Sequence, residues 1–227
     1  MSNRVEERST DGADNAIVYV VDDDESVRES LRDLLRSAGF SVETFANAED
    51  FLAFDKPDAV ACVVLDVRLK GQSGLYAQER LNENHISLPV IFITAHGDIE
   101  MSVKALKRGA ADFFTKPFRD QDLLDAVMAA LDTDRKRREE VRSRDDLMRC
   151  YDSLTQRERN VTDLIVRGYR NKDIATQMSL SEATVKTHRN QAMKKMGSTS
   201  LAEFVLKVQA IDVDSKDIGP RALKLLR

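Results

Sequence analysis

Three short stretches, residues 17–21, 59–65 and 90–94, are made of Val, Ile and other apolar residues and show no polar face. A half-exposed strand alternates apolar with polar residues, so a run that is apolar on both sides must be covered on both, as in the middle of a parallel sheet. The stretches between them are amphipathic. Val27, Leu31, Leu34 and Leu35 share one face of a helix that Gly39 closes. Phe51 with Leu52, then Val103 with Leu106, then Leu123, Leu124, Val127 and Leu131 mark further helices. Buried strands alternating with helices give five βα units over residues 16–131, hence a doubly wound α/β domain around a five-stranded parallel sheet. In such sheets ligands bind outside the carboxyl ends of the strands, where the strand order reverses.

Charge divides the chain just after this domain. Up to Thr133 there are 14 basic and 25 acidic side chains, and beyond it 21 basic and 14 acidic, so the net charge of -4 hides one strongly acidic and one strongly basic half. A basic half calls for a polyanion or an acidic surface as partner, and nucleic acid is the commonest. Residues 132–152, including RKRREEVRSRDD, are almost entirely charged, with Val141, Leu147, Met148 and Tyr151 as isolated apolar points. They read as an exposed helical linker.

Residues 153–210 read as a small all-α domain. Thr155 and Glu158 form a capping box for a helix carrying Val161, Leu164 and Ile165, which Gly168 ends. Asn171 caps a short helix with Ile174, Ala175 and Met178, and after a turn at 179–181 a third helix turns Val185, Ala192, Met193 and Met196 inward. Ser200 with Glu203 makes a second capping box, for a helix using Leu201, Phe204, Val205 and Val208. Residues 1–15 and 211–227 read as poorly ordered tails, the second with a short helical turn at 222–226. No run approaches the roughly 18 apolar residues of a membrane span, and the polar first residues lack the core of a signal peptide, so the chain is expected in the cytoplasm without a membrane partner. Cys62 and Cys150 form neither a disulfide framework nor a metal quartet, and both are expected as plain thiols.

Asp22, Asp23 and Asp24 directly follow the first apolar run, and Asp66 directly follows the run at 59–65. Both groups therefore emerge at the carboxyl edge of the sheet. Carboxylates within about 4 to 6 Å repel one another, so such a cluster needs a cation among them, and oxygen-only ligands without His or Cys point to Mg²⁺. Two more strand ends supply the hydroxyl of Thr94 and the ammonium of Lys116. Singly, the acidic triplet has an ordinary explanation as a solvated turn and Lys116 as a surface lysine. Together at strand ends they are what is needed to make and hold an acyl phosphate, with Asp66 as acceptor because Asp22 and Asp23 can share the metal.

VDDDESVR at 21–28, LDVRL at 65–69, ITAHGD at 93–98 and ADFFTKPF at 111–118 closely resemble the receiver domains of two-component response regulators. The resemblance covers residues 16–131 and implies a flavodoxin-like fold in which Asp22, Asp23, Asp66 and the backbone carbonyl of Arg68 hold Mg²⁺. It also implies that Asp66 takes a phosphoryl group from a sensor histidine kinase, that Thr94 and Lys116 contact it, and that the switch aromatic falls on Phe113, which lacks the hydroxyl of the more usual tyrosine. Lys116–Pro117 is expected in the cis form on the same ground. A metal-dependent phosphatase using an aspartyl phosphate is the rival. The enzymes nearest this chemistry carry a second carboxylate two residues after the nucleophile, where this chain has Arg68, and His85, His96 and His188 are too scattered to replace it.

In the third helix of the basic domain, Lys186, Thr187, Asn190 and Lys194 lie opposite the buried residues. Lys suits guanine acceptors, Asn adenine and Thr a thymine methyl, so this face suits a major groove. Lys172, Thr184, Arg189 and Lys195 surround it at positions suited to phosphates. RNA recognition is disfavoured because no stacking aromatics accompany the basic face. RE at 157–158, NKDIA at 171–175 and TVKTHR at 184–189 make residues 154–200 similar to the LuxR-type helix-turn-helix of NarL/FixJ-type regulators. ITAHGD and the layout lean to the FixJ branch, and a role in rhizobial nodulation is expected from the resemblance, with no single residue carrying it. The resemblance implies double-stranded DNA, RNA polymerase and, on phosphorylation, a second copy of the chain as partners.

Overall fold

The structure, a computed structural model, describes residues 16–95, 103 and 105–215, with side chains as far as Ile211. β1 (Ile17–Val21), β2 (Ser41–Phe45), β3 (Ala61–Asp66), β4 (Val90–Thr94) and β5 (Asp112–Thr115) form one parallel sheet in the order β2-β1-β3-β4-β5. α1 (Glu25–Ser37), α2 (Ala48–Ala53) and α3 (Gly74–Glu83) join the first four strands, residues 103 and 105–107 are helical before β5, and α4 (Asp120–Asp152) follows it. The doubly wound domain expected from the three apolar runs is therefore present.

Strand alternation explains why those runs lack a polar face. Val18, Val20, Cys62, Val64, Ile91 and Ile93 pack on one side against Leu31 and Leu35 of α1 and Leu123 and Val127 of α4. Tyr19, Val21, Val63, Leu65 and Phe92 pack on the other against Phe51 of α2, Ala77 and Leu81 of α3, and Ala105. Each fully buried aliphatic side chain contributes about 1.5–3 kcal/mol, so these two layers hold the domain together.

The structure departs from the sequence reading at several points. β3 begins two residues later than expected and includes Asp66 as its last residue, because its pairing starts with Ala61 opposite Ile17 and ends with Asp66 opposite Ile93. Among the described residues between β4 and β5, Ala105 is buried, while Val103 and Leu106 are 43% and 47% exposed. The expected linker is helical but is no separate segment, since α4 passes without a break through the boundary at 131/132. Its residue Asp134 is fully buried and accepts the N–H of Ala61 at 3.0 Å. Contacts of this kind carry the first compact unit to Arg138, and the second begins at Glu139.

The second unit holds the end of α4 with α5 (Gln156–Val166), α6 (Asn171–Met178), α7 (Glu182–Lys195) and α8 (Leu201–Ser215). Val161, Ile174, Val185, Ala192 and Phe204 are wholly buried in its core, with Leu147 and Tyr151 packed against it rather than isolated. The capping box of α5 forms as expected, with Glu158 N–H on Thr155 Oγ1 and Thr155 N–H on Glu158 Oε2. In α6 the cap is Arg170, not Asn171, and the Asp173 carboxylate accepts the Arg170 N–H at 3.3 Å. At α8 Ser200 accepts the Glu203 N–H, but the returning carboxylate goes to Thr199. α8 continues to Ser215 with Ile211 buried, and Leu201 is 45% exposed. The expected tail at 1–15 and the helical turn at 222–226 lie outside the described residues.

Candidate functional site

The acidic site is built by three strand ends. β1 delivers Asp22, 1% exposed, whose N–H is held by the Phe45 carbonyl of β2. The carboxylate of Asp22 accepts the Asp24 N–H at 2.9 Å, while Asp24 turns its own side chain away to cap α1 by accepting from Ser26. β3 delivers Asp66, 7% exposed, and Asp66 Oδ1 accepts the N–H of Arg68 at 2.8 Å. From beyond β5, Lys116 Nζ donates to Asp22 Oδ2 at 2.6 Å and to Asp66 Oδ2 at 3.0 Å. Oxygens of Asp22, Asp23 and Asp66 all lie within 4.8 Å of one another. The cleft around them measures about 530 Å³ and is also lined by Arg68, Lys70 and Ala95.

Burial raises the Asp22 carboxyl above its ordinary range, partly offset by its bonds to Lys116 and the Asp24 N–H. Burial alone would lower Lys116, but its bonds to Asp22 and Asp66 outweigh this and hold the ammonium above its usual value. One charged lysine thus bridges two carboxylates in a partly desolvated cleft. Three anionic oxygen donors and no sulfur or nitrogen donor fit a hard divalent cation such as Mg²⁺.

Thr94 is fully buried at the end of β4, and its carbonyl accepts the Lys116 N–H at 2.7 Å, which ties two expected residues together through the backbone. Phe113 is half-buried on β5 with its ring 6.4 Å from that of Phe92. Lys116–Pro117 is cis, as expected. The part of ITAHGD from His96 onward lies outside the described residues. Three residues of this site were given no role from the sequence. Arg28 donates to the Asp22 carbonyl at 2.7 Å, and Lys70 pairs with Asp23 at 3.2 Å. Gly74 opens α3 so close to β3 that a Cβ there would lie 2.2 Å from the Asp66 carbonyl oxygen. A glycine just after a helix cap and eight residues past a strand end is a signal that could have been read.

In the helical unit Ser179, in the left-handed region at φ 53°, turns the chain between α6 and α7, and Ser181 caps α7. Lys186, Thr187, Asn190 and Lys194 are exposed on α7, and Lys172 is exposed on α6. Thr184 and Arg189 are half-buried, and Thr184 is engaged with Ser181 at the cap. Lys195 departs from expectation. Its ammonium donates to Glu158 Oε2 at 2.7 Å and to the Ser153 carbonyl at 3.1 Å, because Glu158 is buried and needs a cation. Lys195 is thus paired within the helical unit.

A parallel sheet of this order with carboxylates and a lysine at its carboxyl edge, followed by a helix-turn-helix, defines a signal receiver joined to a nucleic-acid-binding module. The response regulator receiver domain family matches residues 18–128, and the family described as bacterial regulatory proteins, luxR family, matches residues 152–208. The chain belongs to the two-component response regulators of the NarL/FixJ type. It is 47% identical to nodulation protein W of Bradyrhizobium diazoefficiens over 91% of both chains, and 45% identical to the response regulator TodT of Pseudomonas putida over 84% of both. The solved structure of the response regulator StyR shares 47% identity with a TM-score of 0.79, covering 86% of this chain and 99% of that one. Among the described residues no helix is long and apolar enough to cross a membrane.

Proposed function

We propose that Asp66 is the phosphoacceptor of this response regulator and that its phosphorylation controls DNA binding through α7. The observation that carries the reading is the Lys116 ammonium bridging Asp66 and Asp22 at the open carboxyl edge of the sheet. A carboxylate oxygen of Asp66 attacks phosphorus, the bond to the histidine nitrogen of the sensor kinase breaks, and the imidazole leaves with that electron pair. Lys116 offsets the negative charge that collects on the phosphoryl oxygens. The Arg68 N–H holds Asp66 in place, and Asp22, Asp23, Asp66 and the Arg68 carbonyl are the proposed Mg²⁺ ligands. Mg²⁺, when bound, would neutralise the carboxylates and the incoming phosphoryl group. Arg68 stands where a general acid would be needed for turnover, so consumption of acetyl phosphate much beyond one equivalent is not expected.

Labelling with a small phosphodonor and Mg²⁺ tests the assignment. Asp66→Asn should abolish it, whereas Asp24→Asn should keep it, since Asn can still cap α1. Undiminished labelling of Asp66→Asn would reject the reading.

The added phosphate carries close to two negative charges beside Thr94 and Lys116, which begin the segments leading to the face formed by the helix before β5, β5 itself and α4. Val103 and Leu106 expose apolar surface there, which supports a dimer on that face; residues 96–102 and 104 lie outside the described residues. Phosphorylated chain should sediment as a dimer at micromolar concentration and unphosphorylated chain as a monomer; identical sedimentation would remove dimerisation as the switch. RNA polymerase is the proposed further partner. Similarity to nodulation protein W supports a nodulation regulon, while comparable similarity to TodT weighs against fixing the target genes by likeness. Genome-wide footprinting with and without phosphorylation decides between them.

A further inference from the structure

Asp134 belongs to a stretch of α4 in which nearly every neighbour is charged and solvated, yet its side chain is 0% exposed. One carboxylate oxygen accepts the N–H of Ala61 at 3.0 Å and Arg138 Nε at 2.8 Å, and the other accepts Arg137 Nε and Nη2 at 3.1 and 2.6 Å. Arg138 also reaches Asp58, in the loop that leads into β3. The charges of two carboxylates and two guanidiniums balance.

We propose that this cluster is a latch that fixes the first turns of the linker helix to the start of β3, the strand whose other end is Asp66. Ala61 is the first residue of β3, and its N–H is a buried backbone donor that needs an acceptor. A carboxylate 73 residues away supplies it. Without that carboxylate the two arginines can turn to water, but the Ala61 N–H cannot. The hold on α4 beyond Leu131 is then weakened to the Arg138–Asp58 pair, and residues 132–138 open locally. The consequence for signalling, though not the latch itself, rests on the reading of Asp66 as the phosphoacceptor.

Hydrogen exchange on the full chain tests the latch directly. In Asp134→Ala the Ala61 amide and those of residues 132–138 should exchange at least about 10-fold faster than in the wild type, because their opening becomes local. Asp134→Asn, which keeps an acceptor for Ala61 but not the charge for two arginines, should fall between, and it remains informative should Asp134→Ala fail to fold. Labelling of Asp66 should stay within about twofold in the folded variants. Unchanged exchange at Ala61 and 132–138 in both variants would overturn the latch. In a second arm, the gain in DNA affinity on phosphorylation should be several-fold smaller in Asp134→Ala. A wild-type gain that the variant retains in full removes the latch from signalling, whereas absence of any gain in the wild type counts against the phosphoacceptor reading and leaves exchange to decide the latch.

Discussion

Lys116 and Lys195 are two lysines that look alike in sequence and are committed differently by the fold. Lys116 sits between two carboxylates at an open cleft, where its charge is available to an incoming anion. Lys195 neutralises Glu158, which is 3% exposed, so its charge is engaged inside the helical unit. Removing it leaves a buried carboxylate without its cation, so Lys195→Ala should destabilise the helical unit by about 2 kcal/mol, below the value for a fully buried pair because the ammonium is partly exposed. Urea unfolding followed by circular dichroism checks this, and a loss of DNA affinity at unchanged stability would return Lys195 to the phosphate contacts. The same pair gives the unit an acid limit. Burial alone would raise the Glu158 carboxyl, but its bonds to Lys195 and Thr155 outweigh that and lower it, and Glu203 is lowered to about 2 by Lys207 and Thr199. A carboxyl lower in the folded than in the unfolded chain contributes stability above its ordinary value near 4.5 and loses it as pH falls through the folded value. The urea midpoint should therefore drop between about pH 4.5 and 2. Glu203→Gln should flatten that drop.

At the scale of elements, the legible parts were those with one dominant period. β1 and β4 are apolar on both faces, and their limits match the runs at 17–21 and 90–94. β2 and β5 are edge strands with half-exposed or polar positions, and α3 buries Gly74, Ala77, Gln78 and Leu81, of which only Leu81 is large and apolar, so none of the three declared itself. The strand-end residues Asp22, Asp66, Thr94 and Lys116 were legible because strand ends of a parallel sheet converge. Asp134 was not, because its partner is a backbone N–H far away in sequence. On α7 the exposed ridge of Lys186, Thr187 and Asn190 matches the helical spacing. Lys186→Ala or Asn190→Ala should cost roughly 1–3 kcal/mol at a specific site and little on random DNA. Lys172→Ala should weaken both kinds of DNA and reduce the salt slope by about one ion. Titrations at several salt concentrations separate the two classes, and equal losses on both DNAs for Lys186→Ala and Asn190→Ala would show that α7 is not the reader.

For the whole molecule, an acidic unit that gains charge and a basic unit that binds a polyanion are joined by one helix whose first turns belong to the receiver and whose last turns pack with the helical core. The two chemistries are separable in sequence and lie in one chain, so the account stands or falls on whether modifying one changes the other. The direct measurement is the affinity of the full chain for its footprinted DNA site, with Mg²⁺ and with or without acetyl phosphate, in wild type and in Asp66→Asn. The account predicts that the phosphodonor tightens binding of the wild type by about tenfold or more, a shift of at least about 1.4 kcal/mol, and leaves Asp66→Asn unchanged. Equal affinity with and without phosphodonor in a wild type shown to be labelled, or equal tightening in Asp66→Asn, would contradict it.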